Sequence, residues 1–310
     1  MAPSRVTVYE VGLRDGLQNE SQVVPTEAKG ALLNALVAAG VSRLEATSFV
    51  SPRWIPQLAD AEAMASALPD LPGVEFAALV PNEKGLERAL AHPEVRTVAV
   101  FLSASESHNR KNVNRSIAES LRGFETVVPR AKAAGRRVRA YVSTVWGCPY
   151  EGAVDVERAI DIARALVRMG VDELSLGDTI GVGTPGQTEL ICDRFLSAFP
   201  APMLALHLHD TRGTALANAL VGLQAGIATF DASVGGMGGC PYAPGASGNL
   251  ATEDLVYMLH GMGIETGIDL ERLVDAGRLA RRVVGRELPG RYLKAALAGR
   301  AAAANGPEGA

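Results

Sequence analysis

Aromatic side chains are scarce in this sequence: Phe, Trp and Tyr together make up 5% of its 310 residues, although 47% are hydrophobic. Ala, Val, Leu and Gly fill the difference, a balance that suits a compact α/β enzyme rather than a sandwich or a disordered chain. Cysteine is nearly absent. Cys148, Cys192 and Cys240 are too few and too widely spread for a disulfide framework or a zinc knuckle, and their odd number suits a reducing compartment. Neither sign of charge prevails. The net charge of −4 comes from interspersed acids and bases, which excludes a nucleic-acid surface as the main partner. No apolar run is long enough to cross a bilayer, so no membrane association is expected. The strand pattern that begins at Arg5 leaves no room for a signal or transit peptide, and the final residues carry no peroxisomal tripeptide. The expectation is a cytoplasmic protein.

What the sequence does contain is a regular alternation of short β-type runs with longer amphipathic stretches. Strands are expected to begin near Val6, Arg43, Val74, Thr97, Val138, Glu173, Leu204 and Thr229. Helical patterns fall between them at 26–39, 82–91, 116–134, 155–169, 185–198 and 214–225. Several end in the Ala-Gly or Met-Gly signal of a helix C-terminus, as at Ala39-Gly40 and Met169-Gly170. Eight such units predict a (β/α)8 TIM barrel over residues 1–285, the catalytic domain, with a short C-terminal helical extension. Residues 286–310 form a tail of low complexity, expected to fray and to be partly disordered. A doubly wound open sheet is the alternative. The barrel is favoured because polar residues cluster at the C-terminal ends of many strands rather than at one switch point.

The most informative run is Leu204-Ala-Leu-His207-Leu-His209-Asp210. As a strand it places Leu204, Leu206 and Leu208 on one face and His207 and His209 on the other, where two imidazoles can converge on one ion. Strand 1 ends in Arg14-Asp15-Gly-Leu-Gln18, and closure of the barrel brings that tip within two strands of the histidines. A carboxylate with two neutral imidazoles makes a divalent-metal site. Glu45, mid-strand in strand 2, needs a cationic partner, for which Arg14 is the candidate. Asp178 is expected on the face that carries two leucines of the barrel lumen, either capping the turn Asp178-Thr-Ile-Gly181 or orienting a metal-bound histidine. After strand 8, Gly235-Gly-Met-Gly-Gly239-Cys240-Pro-Tyr242 reads as a mobile lid carrying an accessible thiol. Cys192 reads as an inert packing residue and Cys148 as a minor contributor. Asn249 offers a neutral oxygen to the metal.

Five separated motifs occur in a recognisable order: Val11-Gly-Leu-Arg-Asp-Gly-Leu-Gln-Asn-Glu20, Glu45-Ala-Thr-Ser-Phe-Val-Ser-Pro52, Gly177-Asp-Thr-Ile-Gly-Val-Gly-Thr-Pro-Gly186, His207-Leu-His-Asp210 and Gly238-Gly-Cys-Pro-Tyr242. Together, from about Val6 to Leu273, they resemble the 3-hydroxy-3-methylglutaryl-CoA lyases of the metal-dependent TIM-barrel lyases and Claisen synthases. The resemblance implies a metal held by Asp15, His207, His209 and Asn249, with Mg2+ or Mn2+ better suited than tetrahedral Zn2+. It places Arg14 on the thioester carbonyl and makes Cys240 the catalytic residue of a capping loop. Glu45 and Asp178 match further active-site acids. The implied reaction is retro-Claisen cleavage to acetyl-CoA and acetoacetate, as in leucine degradation, with Asp15 or His207 as the base and Cys240 as the acid. Gln18 and Ser48 are further substrate-binding candidates, and Arg110 and Lys111 are placed to meet CoA phosphates. A homodimer is also implied. Thr211-Arg212-Gly-Thr214 departs from the family pattern, which leaves open a longer 3-hydroxy-3-alkylglutaryl-CoA. A Claisen synthase of the same superfamily is the other enzymatic alternative, and a barrel that only binds CoA is disfavoured by the complete catalytic set.

Overall fold

The computed structural model describes residues 2–239 and 248–305. Its eight strands fall where the alternation put them: β1 (Thr7–Glu10), β2 (Arg43–Ser48), β3 (Glu75–Leu79), β4 (Val95–Ser103), β5 (Arg137–Ser143), β6 (Glu173–Asp178), β7 (Leu204–Leu208) and β8 (Thr229–Ala232). They run parallel in sequence order, and β8 pairs with β1 from Thr7 opposite Thr229 to Glu10 opposite Ala232, which closes the barrel. The first helices are α1 (Thr26–Ala38), α2 (Ala61–Ser66), α3 (Glu83–Leu90), α4 (Glu106–Val113), α5 (Ile117–Ala133) and α6 (Val156–Met169). They are followed by α7 (Pro185–Leu196), α8 (Ala215–Gln224), α9 (Thr252–Gly261), α10 (Leu270–Val284) and α11 (Arg291–Asn305). No helix among the described residues is long and apolar enough to cross a membrane.

Local chemistry sets the helix ends. Ser116 accepts from the Glu119 amide at 3.1 Å while Glu119 accepts from the Ser116 amide at 2.7 Å, a reciprocal cap that starts α5. α6 stops at Gly170, whose φ of 108° suits a residue without a Cβ. The Ala-rich stretch from Lys294 lies in α11, which side chains outside the alanine run hold in place. The Arg291 and Tyr292 amides donate to Asp254 at 3.1 and 2.6 Å, Tyr292 stacks on Tyr257, and Leu293 is buried.

The two faces of the sheet divide differently from expectation. Apolar residues such as Leu44, Phe76, Val98, Leu174 and Leu206 join the core shared with the helices. The lumen at mid-height is instead charged. Arg139 bonds Glu173 at 2.6 Å and Asp231 at 2.5 Å, and Ser175 donates to Asp231 at 3.0 Å. Because β6 turns Glu173 and Ser175 inward, Leu174, Leu176 and Asp178 share the outward face, and the expectation of leucines and Asp178 in the lumen is corrected. Arg139 is fully buried, and desolvating its charge would cost several kcal/mol without these carboxylates.

Candidate active site

The functional side chains meet where the strands end. Directly after β1 the chain makes one wide turn, Gly12–Gly16, in which the amides of Gly16 and Leu17 bond the carbonyls of Val11 and Gly12 five residues back. This turn carries Arg14 and Asp15. Arg14 bonds Glu45 Oε2 through Nε at 2.7 Å and through Nη2 at 2.6 Å, so Glu45 has the partner its mid-strand position demanded. Arg14 Nη1 donates to Asp15 Oδ1 at 2.6 Å and Gln18 Nε2 to the same oxygen at 2.8 Å. Asp15 Oδ2 accepts from Asn249 Nδ2 at 2.8 Å and lies 3.9 and 4.0 Å from the Nε2 atoms of His207 and His209. Burial opposes ionisation of Asp15, yet Arg14, the two imidazoles and Asn249 hold its carboxyl well below the usual carboxylate range.

Both histidines come from the inward face of β7. His207 Nδ1 lies 3.0 Å from Asp231 Oδ2, directly across the β7–β8 register, which leaves Nε2 facing the mouth. The two Nε2 atoms are 3.1 Å apart, and His209 Nδ1 is buried with no partner among the described residues. Burial, and then the neighbouring His207, pull the His209 pKa down to about 4. A neutral imidazole whose nitrogen faces another imidazole, with an ionised carboxylate beside both, is an arrangement that a divalent cation satisfies. One ligand atom from each of Asp15, His207 and His209 lies within 4.8 Å of the others, and no other such cluster occurs among the described residues. Asn249 pairs with His209 in a β-bridge, and its Nδ2 also donates to the Met237 carbonyl at 3.0 Å. An amide can offer a cation only its Oδ1. The approach of this segment needs Gly238: at φ 111° an added Cβ would lie 2.6 Å from Asn249 Nδ2.

Asp178 does not stand behind His207. It accepts from the amides of Val182 and Gly183 at 3.0 and 2.9 Å and so caps the turn after β6. Burial raises its pKa despite those two amides. The orienting carboxylate is Asp231, on the lumen face that Asp178 lacks. Arg212 donates to the carbonyls of Ile180 and Gly181, both at 2.9 Å, and braces this same turn, while Thr214 Oγ1 reaches the Gly183 carbonyl. A register shift between Glu45 and Thr47 sets Ser48 level with Leu79 at the lumen wall, and its hydroxyl accepts from the Val50 amide at 3.2 Å. Arg110 and Lys111 lie on α4, on the side of the barrel where the strands end. Arg110 pairs with Glu106 at 2.9 Å and Lys111 Nζ sits 3.7 Å above the Tyr150 ring. Among the described residues no hydrogen bond or ion pair joins either to the Asp15 cluster. Cys148 is buried, with its Sγ 2.9 Å from Ser105 Oγ, and Cys192 is buried on α7. Cys240 lies outside the described residues.

The sequence reading missed Tyr141 and Asp231. Tyr141 donates to Glu45 Oε2 at 2.9 Å, receives Arg139 Nη1 at 2.9 Å, and meets His207 edge-on with ring centroids 5.8 Å apart. The available signal was Arg139 and Tyr141 alternating with Val138, Ala140 and Val142 in β5, together with an acid inside the short apolar β8.

Comparison with known proteins gives a consistent result. The HMGL-like family pattern matches residues 5–280. The chain is 52% identical over 292 residues to the hydroxymethylglutaryl-CoA lyase YngG of Bacillus subtilis, covering 94% of this chain and 97% of that one. It is 50% identical to the mitochondrial hydroxymethylglutaryl-CoA lyase of Rattus norvegicus, covering 94% and 90% of the two. A solved HMG-CoA lyase from Acinetobacter baumannii, in complex with coenzyme A and 3-methylmalate, superposes with a TM-score of 0.90 at 38% identity, over 94% of this chain and 95% of that one.

Proposed function

This chain belongs to the HMGL-like family, and from that premise we propose how its mouth residues divide the work of a carbon–carbon lyase. The reaction is cleavage of 3-hydroxy-3-methylglutaryl-CoA to acetyl-CoA and acetoacetate. Asp15, His207, His209 and Asn249 hold a divalent cation, Mg2+ or Mn2+ by the hardness of two oxygen donors beside two imidazoles. Bound there, such an ion would supply Lewis acidity to the oxygen of the tertiary alcohol.

The protein's own groups do the rest. The base for the hydroxyl proton is Asp15 or His207: Asp231 stands behind His207 Nδ1 and would stabilise an imidazolium, and His207 Nε2 takes the proton only while it is not holding the cation. Asp15 is the poorer acceptor: Arg14 and Gln18 already occupy Oδ1 and its carboxyl is held strongly ionised. The C–C bond then breaks. The alkoxide becomes the ketone of acetoacetate, and the electron pair moves onto the thioester to form an enolate, whose oxygen the Arg14 guanidinium stabilises. Glu45 and Tyr141 fix Arg14 in that position, a preorganisation that costs nothing at the moment of reaction. The enolate carbon takes its proton from Cys240, a role that rests on the sequence motif. Gln18 and Ser48 line the acyl end, and Arg110 and Lys111 receive CoA phosphates. Asp178 acts indirectly, by shaping the turn it caps.

The observation that carries this reading is the convergence of Asp15, His207 and His209 beside Arg14. Its test is to give the protein Mg2+ or Mn2+ and a panel of 3-hydroxy-3-alkylglutaryl-CoA esters, and to identify the products. Release of acetyl-CoA and acetoacetate from the methyl compound is expected, and no cleavage of any ester overturns the assignment. We also place the catalytic unit in residues 1–285, the protein in the cytoplasm on the strength of unpaired Cys148 and Cys192, and the assembly as a homodimer, checked by light scattering.

A further inference from the structure

The opposite end of the barrel holds a cavity that the lyase reaction does not use. It has a volume of about 530 Å3 and lies where β2 to β5 begin. Four guanidinium groups line it, from Arg43, Arg96, Arg136 and Arg137, against the single carboxylate of Glu75. Glu75 bonds Arg43 at 3.3 Å and Arg137 at 2.9 Å. Asp70 and Glu173, just outside the cavity, answer Arg96 and Arg43 at 2.5 and 2.8 Å. Four cations against three anions leave one positive charge. Arg43 Nε and Arg136 Nε are also buried with no hydrogen-bond partner among the described residues. Arg136 otherwise uses its Nη atoms on the carbonyls of Pro93 and His92, at 2.8 and 3.4 Å. An excess of guanidinium groups around an open volume is the chemistry that binds a phosphate-type anion.

Arg43 also begins a continuous line of ion pairs through the lumen. It bonds Glu173 at 2.8 Å, Glu173 bonds Arg139 at 2.6 Å, Arg139 bonds Asp231 at 2.5 Å, and Asp231 holds His207 at 3.0 Å. We propose that this arginine-lined cavity binds a phosphate-class anion, free or esterified, and that its occupancy reaches His207 through Arg43, Glu173, Arg139 and Asp231. An anion drawn onto Arg43 competes with Glu173 for the guanidinium. Arg139 and Asp231 then readjust, and with them the ring of His207. Arg139 and Asp231 thus act as positioning residues for His207 from below.

The test has two readouts. Calorimetric titration of the metal-free protein with inorganic phosphate, and separately with glycerol 3-phosphate, measures binding without reference to activity. Saturable binding of either is expected, and the tighter of the two tells whether the anion is free or esterified. In R136Q and in R96Q the affinity should fall by roughly ten- to a hundredfold, as for loss of a hydrogen bond to a charged group. R96Q removes a half-exposed side chain, so it serves if R136Q does not fold. The second readout is kcat of the metal-loaded enzyme, which should change over the same phosphate concentrations in the wild type and stay constant in R136Q. That variant also controls for phosphate drawing off the metal. Absence of saturable binding, equal binding by wild type and both variants, displacement of phosphate by CoA, or an unaltered kcat at saturation would each overturn the proposal.

Discussion

At mid-height of the lumen Arg139, Glu173 and Asp231 answer one another within 3.1 Å, whereas nearer the mouth β2 and the end of β7 carry groups left unanswered. At the mouth Glu45 Oε1 and His209 Nδ1 have no partner among the described residues, and two imidazole nitrogens face each other at 3.1 Å. Both layers are buried and both are charged, so burial alone does not mark the active site. Completeness does. In the lower layer each charged group has an opposite partner, whereas the upper layer holds donors and acceptors with none among the described residues.

That contrast can be broken at either layer. The largest effect belongs to the mouth. Asp15→Asn should lower kcat by roughly a thousandfold, the scale of several kcal/mol of lost charge stabilisation, while the thermal midpoint stays near that of the wild type. Retention of activity would contradict the assignment of Asp15. The lower layer should respond in the opposite sense. Arg139→Met strands Glu173 and Asp231 and should cost about 3–5 kcal/mol of stability, measured by urea denaturation. A variant as stable as the wild type would show that the lattice is not a support.

Asp231→Asn sits between the layers and separates two demands on His207 Nε2, which cannot hold a cation and a proton at once. If ring orientation chiefly serves metal binding, affinity should fall about ten- to a hundredfold by metal titration. If it chiefly serves proton transfer, affinity should hold and kcat should fall.

A smaller effect is expected behind the mouth. Burial raises the pKa of Glu253 from 4.5 to about 8, and that of Glu10 from 4.5 to about 7 even though Thr252, Val234 and Gly12 all donate to it. The folded protein therefore keeps protons that the unfolded chain releases at its ordinary carboxylate pKa. Their stabilisation is complete below that range and is lost as pH rises through about 7 and then 8. Denaturation curves across this window should show falling stability, and Glu253→Gln should flatten the upper part of the fall. The smallest change is expected from Lys111→Ala, which should raise KM for the CoA ester a few-fold, roughly one exposed phosphate contact, with kcat unchanged.

Much of this was legible from residue order. The strand starts, the helix ends, the meeting of Asp15 with His207 and His209, and the Arg14–Glu45 pair all followed from alternation and barrel closure. Asp178 shows where that reasoning stops. A period of two separates the faces of a strand but does not say which one is inside, and in a closed barrel both are buried. Leu174 and Leu176 suggested a lumen of branched apolar side chains, the common arrangement, while the real lumen took Glu173 and Ser175. Asp231 and Tyr141 were missed for the same reason, since their importance lies in partners on other strands.

The wide turn at Gly12–Gly16 has a consequence of its own. Its five-residue closure inserts one surplus residue relative to an ordinary helical turn, and that surplus sets the rotational phase of everything on it. Deleting a single residue there would twist the following side chains by about 100° around the local axis. Arg14 and Asp15 would then swing away from Glu45 and the histidines with no atom of either changed. The chemistry of this mouth is thus encoded partly as a count of residues, which no substitution scan would reveal.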